Sequence, residues 1–140
     1  MRKWILIGIA AILVIAMWRC GFALAKGRKL SNAAVLQFHQ NLNAEKYVEI
    51  CADADQRFIA QNRDELIRIL RAVRTKLGTA GDATLADIRV MSDPRGTFTI
   101  TSYNTTFEKG SATEKFTFLN TSGNLKLYGY HIDSNVLITN

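Results

Sequence analysis

Six residues in the last third of the chain, Tyr103, Glu114, Tyr128, Tyr130, His131 and Asp133, are of types that handle protons. A carboxyl set in an apolar wall holds its proton more tightly, and a tyrosine opposite it supplies a donor; such a pair can do general acid–base work. Glu114 has the same strand parity as Phe116 and Phe118, which turns it toward the apolar side. An acid–base site would therefore be built from Glu114, Tyr103 and Tyr130, although aromatic packing across strands accounts for the tyrosines equally well. No catalytic set is assigned beyond these three. The chain has no Gly-x-Ser-x-Gly, Gly-x-x-x-x-Gly-Lys-Ser/Thr, His-Glu-x-x-His or Cys-x-x-Cys. His39, His131 and Cys51 would make a metal site only if the fold gathered all three, so the expectation is no metal and no cofactor. Each histidine reads as an ordinary structural or surface residue, and Cys51 as a small buried hydrophobe.

The elements that must position these residues fall into two halves. Ser31 is a plausible N-cap for a first helix with Val35, Phe38 and Leu42 at helical spacing. Asn43 breaks it and can cap a second helix carrying Tyr47, Ile50, Cys51, Ala54 and Phe58. A third opens on Asn62 and Glu65, runs through Leu66, Ile69, Leu70, Val73 and Leu77, and stops at Gly78. Its outer surface is basic, with Arg63, Arg68, Arg71, Arg74 and Lys76, and Asp64 to Arg68 as an i,i+4 pair. Strands follow over Thr84–Ser92, Thr97–Phe107, Ala112–Leu119 and Leu125–Asp133, separated by turn residues such as Asp93-Pro94-Arg95-Gly96. In the second and fourth strands the apolar residues change phase, which predicts bulges or strong coiling, and Gly129 sits at the change in the fourth. The whole is α+β: about three helices packed on a curled four-stranded antiparallel sheet, after an N-terminal transmembrane or signal helix.

Charge is unevenly placed along the 140 residues. Six of the 18 basic residues precede Leu30 and no acid precedes Glu45, so from Leu30 onward twelve basic residues face twelve acidic ones. A neutral body argues against a nucleic-acid partner, and a basic flank argues for a membrane nearby. The run from Trp4 to Ala25, broken only by Arg19, is as a helix roughly 33 Å long, enough to cross a hydrocarbon core of about 30 Å. The same stretch parses as a secretory signal with Ala23-Leu24-Ala25 as its cleavage site. Residues 1–29 are thus a signal anchor or signal peptide with a basic juxtamembrane segment, and residues 30–140 a single cone-like α+β domain. The lipid bilayer, through residues 4–25, is the expected partner. The flanking charges leave orientation open.

The strings Val73-Arg-Thr-Lys-Leu-Gly78, Gly96-Thr-Phe-Thr-Ile-Thr-Ser-Tyr-Asn-Thr-Thr-Phe107, Glu114-Lys-Phe-Thr-Phe118 and Gly123-Asn-Leu-Lys-Leu-Tyr-Gly-Tyr130 resemble the bacterial family called domain of unknown function 4019, over roughly residues 30–133. Leu125 stands where that family usually has Trp. The resemblance implies a cystatin-like or nuclear transport factor 2-like fold and export from the cytoplasm, and it brings no catalytic residues. With it, the body is expected in the periplasm or another extracytoplasmic space, held by a single pass in the inner membrane or secreted after cleavage at Ala25. Three functions follow as expectations: a non-enzymatic anchored domain that binds an envelope protein or a small ligand, a small lyase- or isomerase-like enzyme using the concave sheet face, or a structural subunit of an envelope assembly. A dry cavity beside a desolvated Glu114 would favour the enzyme, and a filled core would leave only surfaces for binding.

Overall fold

In a computed structural model the backbone is described from Arg2 to Thr139, and side chains at Met17 and over residues 21–139. Helix α1 (Arg2–Asn43) runs without a break through the basic segment and through Ser31, which is buried inside the helix instead of capping it. Lys, Arg, Leu and Ala propagate a helix well, and the lone Gly27 is too little to stop it. The apolar run of residues 4–25, expected as span or signal, lies for the most part outside the residues whose side chains are described. Among the described residues no helix is long and apolar enough to cross a membrane.

Asn43 ends α1 as expected, but its side chain is spent elsewhere: Nδ2 donates to the Ala80 carbonyl at 2.9 Å and Oδ1 accepts from the Ala80 amide at 2.7 Å. Helix α2 (Tyr47–Asp53) therefore starts without a side-chain cap, after Lys46, and buries Ile50 and Cys51. Helix α3 (Gln56–Leu77) begins earlier than the spacing predicts. Asp55 caps it, accepting from the Arg57 amide at 3.0 Å, which takes Phe58 into α3 and leaves Asn62 inside the helix, bonded back to the Phe58 carbonyl at 2.8 Å. Gly78, at φ 80°, ends α3 as expected.

The sheet is an antiparallel meander in the order β1-β2-β3-β4: β1 (Ala80–Asp93), β2 (Gly96–Phe107), β3 (Gly110–Thr121) and β4 (Asn124–Asp133). A four-residue helix, α4 (Asn135–Ile138), follows; sequence spacing did not indicate it, and Ser134 caps it. The phase change in β4 is a bulge at Tyr128, since Thr117 pairs with Gly129 and Phe118 with Leu127. Leu125 and Leu127 before the bulge and Tyr130 and Ile132 after it thus all face the helices. Of the bulge or strong coiling expected of β2, its register with β3 shows no bulge, and the irregularities lie across from it in β1, between Ala80 and Ala83 and between Leu85 and Asp87. Thr99, Thr101, Tyr103, Thr105 and Phe107 face the core, while Phe98 belongs to the other face, its ring 5.1 Å from that of Tyr128.

Helix α1 crosses the concave face. Phe38 stands edge-on to Phe116 at 5.0 Å and tilts on Tyr130 at 4.9 Å, and the stripe Ile59, Leu66, Leu70, Val73 and Leu77 brings α3 onto the same core. Side chains fill the concavity around these rings, and a gap of about 70 Å³ remains between α1 and Phe118, Leu125 and Leu127.

Candidate functional site

Glu114 lies at the centre of that filled core, 0% exposed. Strand β3 presents it on the same side as Phe116, and the register sets it opposite Tyr103 of β2 and Ile132 of β4. The Tyr130 hydroxyl donates to Oε1 at 2.7 Å, and the Thr105 hydroxyl donates to Oε2 at 2.6 Å. Nε2 of His39 lies 2.7 Å from the same Oε2. With that nitrogen as donor, one carboxylate collects three hydrogen bonds from α1, β2 and β4 while itself standing on β3. Such a knot joins four elements through one residue, and in a low-dielectric interior its bonds reinforce one another.

Tyr103 does not join the knot. Though paired with Glu114 in register, it is 1% exposed and its hydroxyl donates to Oδ1 of Asn32 on α1 at 2.7 Å. Burial pushes the Tyr103 phenol up to about 12. Tyr130 is raised well above the ordinary tyrosine value, first by burial, then by the charge of Glu114 and the hydrogen bond to it. Both phenols therefore stay protonated donors, and neither is tuned toward proton exchange near neutrality.

Of the six proton-handling residues, then, the fold joins Glu114 and Tyr130. His131 and Asp133 are exposed, and Tyr128 packs between Phe98 and Phe58 with the Arg57 guanidinium 5.8 Å over its ring. His39 and Thr105 complete the knot. Their signal was present: His39 extends the stripe Val35, Phe38, Leu42 at i+4 from Val35, and Thr105 shares the parity of Tyr103 and Phe107. His39 is bonded to Glu114 and His131 is exposed, and among the described residues no three of His, Cys, Asp or Glu gather at one point. Cys51 is free and buried, and burial raises its thiol pKa, opposed in part by Arg63.

On α3, Arg68 pairs with Glu65 and not with Asp64, Nε to Oε2 at 3.0 Å, one residue closer than the i,i+4 spacing suggests. Among the open clefts, two border residues of the knot, Thr105 at one and Tyr130 at the other. One, about 480 Å³, is on the outer sheet face among Asp82, Thr84, Asn104, Thr106, Thr113 and Asp133. The other, about 260 Å³, lies between α3 and β4.

No protein-family model matches the chain, and no curated protein matches it. Among solved structures it is similar to Aln2 from a Streptomyces species, with 12% sequence identity, 78% of this chain and 90% of that chain covered, and a TM-score of 0.46. At that distance the likeness carries no functional inference.

Acid–base catalysis needs a carboxyl that a substrate can reach and a lone pair or proton to exchange. Glu114 offers neither: solvent does not touch it, and both oxygens are already engaged. The arrangement holds four elements together.

Proposed function

We propose that this is a non-enzymatic domain that binds an envelope protein through its outer surfaces, held at a bilayer by residues 4–25 with its body outside the cytoplasm. The observation that carries the binding reading is the sealed knot: Glu114 at 0% exposure with donors on both oxygens, in a concavity filled by α1. Had Glu114 lined an open cavity, the lyase- or isomerase-like reading would have led. The location rests on the apolar length of residues 4–25 and on the resemblance of the body to small exported proteins, both features of the sequence.

Two measurements test this. Reporter fusions after Asn140 read the side of the membrane: activity of a reporter that matures only in the cytoplasm would overturn the location. Photo-crosslinking residues placed on α3 and on the outer sheet face of the full chain, in native membranes, should trap one protein reproducibly. If no position traps anything, the binding reading falls.

A further inference from the structure

The meander order leaves β1 and β4 as its edges. An edge strand turns both N–H and C=O of every second residue outward, and those groups need partners. Near the bulge β4 has one: the Asp55 amide, at the α2–α3 corner, donates to the Leu127 carbonyl at 2.9 Å. Beyond it, from Gly129 to Asp133, no hydrogen bond among the described residues reaches the outer edge of β4. This is also where α3 stands off from the strand and leaves the cleft of about 260 Å³. Ile69, Val73, Ile132 and Leu137 line it with apolar surface, and Arg68, Lys76 and His131 border it.

From this we infer that the α3–β4 cleft takes an extended, acidic peptide segment of a protein partner, which adds to the sheet as a fifth strand alongside Gly129–Asp133. The inference rests on the binding reading above and names its surface and partner class. Open edge groups supply main-chain affinity, and a cleft beside them supplies pockets for alternate side chains. Charge selects the acidic partner: of the five basic residues on α3 between Arg63 and Lys76, Arg68 and Lys76 border the cleft, and Lys76 has no carboxylate partner among the described residues. Arg68 is already paired with Glu65, and Asp133 stands at the far end of the open edge, so an acidic side chain of the segment belongs beside Lys76. The edge also lacks the usual guards. Between the bulge at Tyr128 and the charge of Asp133 there is no Pro, Lys or second bulge on β4. Strand β1, by contrast, is interrupted by two register shifts and carries Asp87 and Arg89.

The test uses the full chain in phosphatidylcholine nanodiscs and a phage-displayed library of random heptapeptides. Enriched sequences are expected to alternate apolar residues with Asp or Glu. The strongest of them, synthesised, should slow amide exchange at residues 129–133. Ala72 and Lys76 are exposed residues of the α3 wall, so substituting them leaves the core intact. Ala72→Trp fills the cleft and should weaken the peptide about tenfold or more; Lys76→Glu should weaken it several-fold and reduce its salt dependence. An unchanged unfolding midpoint in both variants confirms that the fold is not the cause. No enrichment, or affinity indifferent to both substitutions, overturns the inference. Protection on β1 or on the outer face instead overturns this surface while leaving the binding reading standing, because that reading is judged by the crosslinks.

Discussion

The Glu114 knot and the outer edge of β4 are both places where polar groups meet apolar walls, separated by the thickness of one strand. At Glu114 every oxygen has its donor, and α1, β2 and β4 converge on β3 to supply them. At the edge one carbonyl, that of Leu127, is taken by Asp55, and the outward groups between Gly129 and Asp133 have no partner among the described residues. Tyr130 belongs to both places: its hydroxyl ties into the knot while the residue lines the cleft. The difference teaches where function lies in a small domain. Satisfied polar groups are spent on holding the fold, and unsatisfied ones beside apolar surface are still available to a partner.

The largest way to break the comparison is to remove the centre of the knot. Glu114→Ala leaves His39, Thr105 and Tyr130 facing an apolar space without their acceptor, and a buried polar group left unsatisfied costs about 1–3 kcal/mol for each of the three. Urea unfolding of the full chain should show that loss. Replacing His39 and Glu114 together by leucine should recover part of it, since a buried pair exchanged for apolar residues of similar volume is often close to neutral. A Glu114→Ala variant with wild-type stability would mean that the knot does not hold the domain, and the concave-face enzyme would return as the leading reading.

Next is Tyr130→Phe, which keeps the ring against Phe38 and Phe116 and deletes only the donor to Oε1. An unpaired buried acceptor costs about 1–3 kcal/mol, so this variant should fall measurably short of wild type while its cleft still binds peptide.

How much of this could be read from the residues follows the range of the interactions involved. The stripes of α1 and α3, the stop at Gly78 and the four strands are periodic or local features, and periodicity reports them directly. The bulge at Tyr128 was readable as a change of parity. Helix starts were not, because capping is a competition. Asn43 and Asn62 are good caps in isolation, but Ala80 occupies the first and Asp55 pre-empts the second. In the site, Glu114 and Tyr130 were visible from parity. The partner of the Tyr103 hydroxyl was not legible, because Asn32 lies 71 positions away on a helix whose rotation the strands do not set. The open edge of β4 was invisible: which strand ends a sheet, and which of its carbonyls a corner amide reaches, are tertiary facts.

A smaller effect separates the two regions by pH. Tyrosines whose folded pKa lies above the unfolded value near 10 leave stability whole below that pH, where both states keep the proton. Above it the unfolded chain loses its proton first, so stability should fall as pH rises from about 10 through the folded value of about 12 for Tyr103. Unfolding midpoints measured across this window should slope downward, and less steeply in Tyr103→Phe. A flat profile would mean that the phenol is not shielded as its 1% exposure requires.

The smallest expected effect is at Gly129, and it sharpens the comparison because the residue sits at the junction of bulge, knot and open edge. Its position at a phase change suggested a backbone or packing requirement. The geometry asks for less: φ at Gly129 is not in the left-handed region, and an added Cβ would meet only Thr117, at 3.4 Å from its Cβ and 3.5 Å from its hydroxyl, an ordinary contact. The extra residue of the bulge is Tyr128, so Gly129 is free of that strain. Gly78 differs, since there φ is 80° and the Glu108 side chain already occupies the space a Cβ would need. Gly129→Ala should therefore change stability by no more than about 0.5 kcal/mol, with the small backbone entropy gain of alanine in a strand set against the contact with Thr117. Thr117 is its partner on the outer sheet face, so the new methyl points away from Glu114 and leaves the main-chain edge clear. Peptide affinity and urea midpoint should both stay at the wild-type value. A loss of stability beyond about 1 kcal/mol would show the bulge to be strained at Gly129, and a loss of peptide binding alone would show that the added strand reaches over the sheet face and not only along its edge.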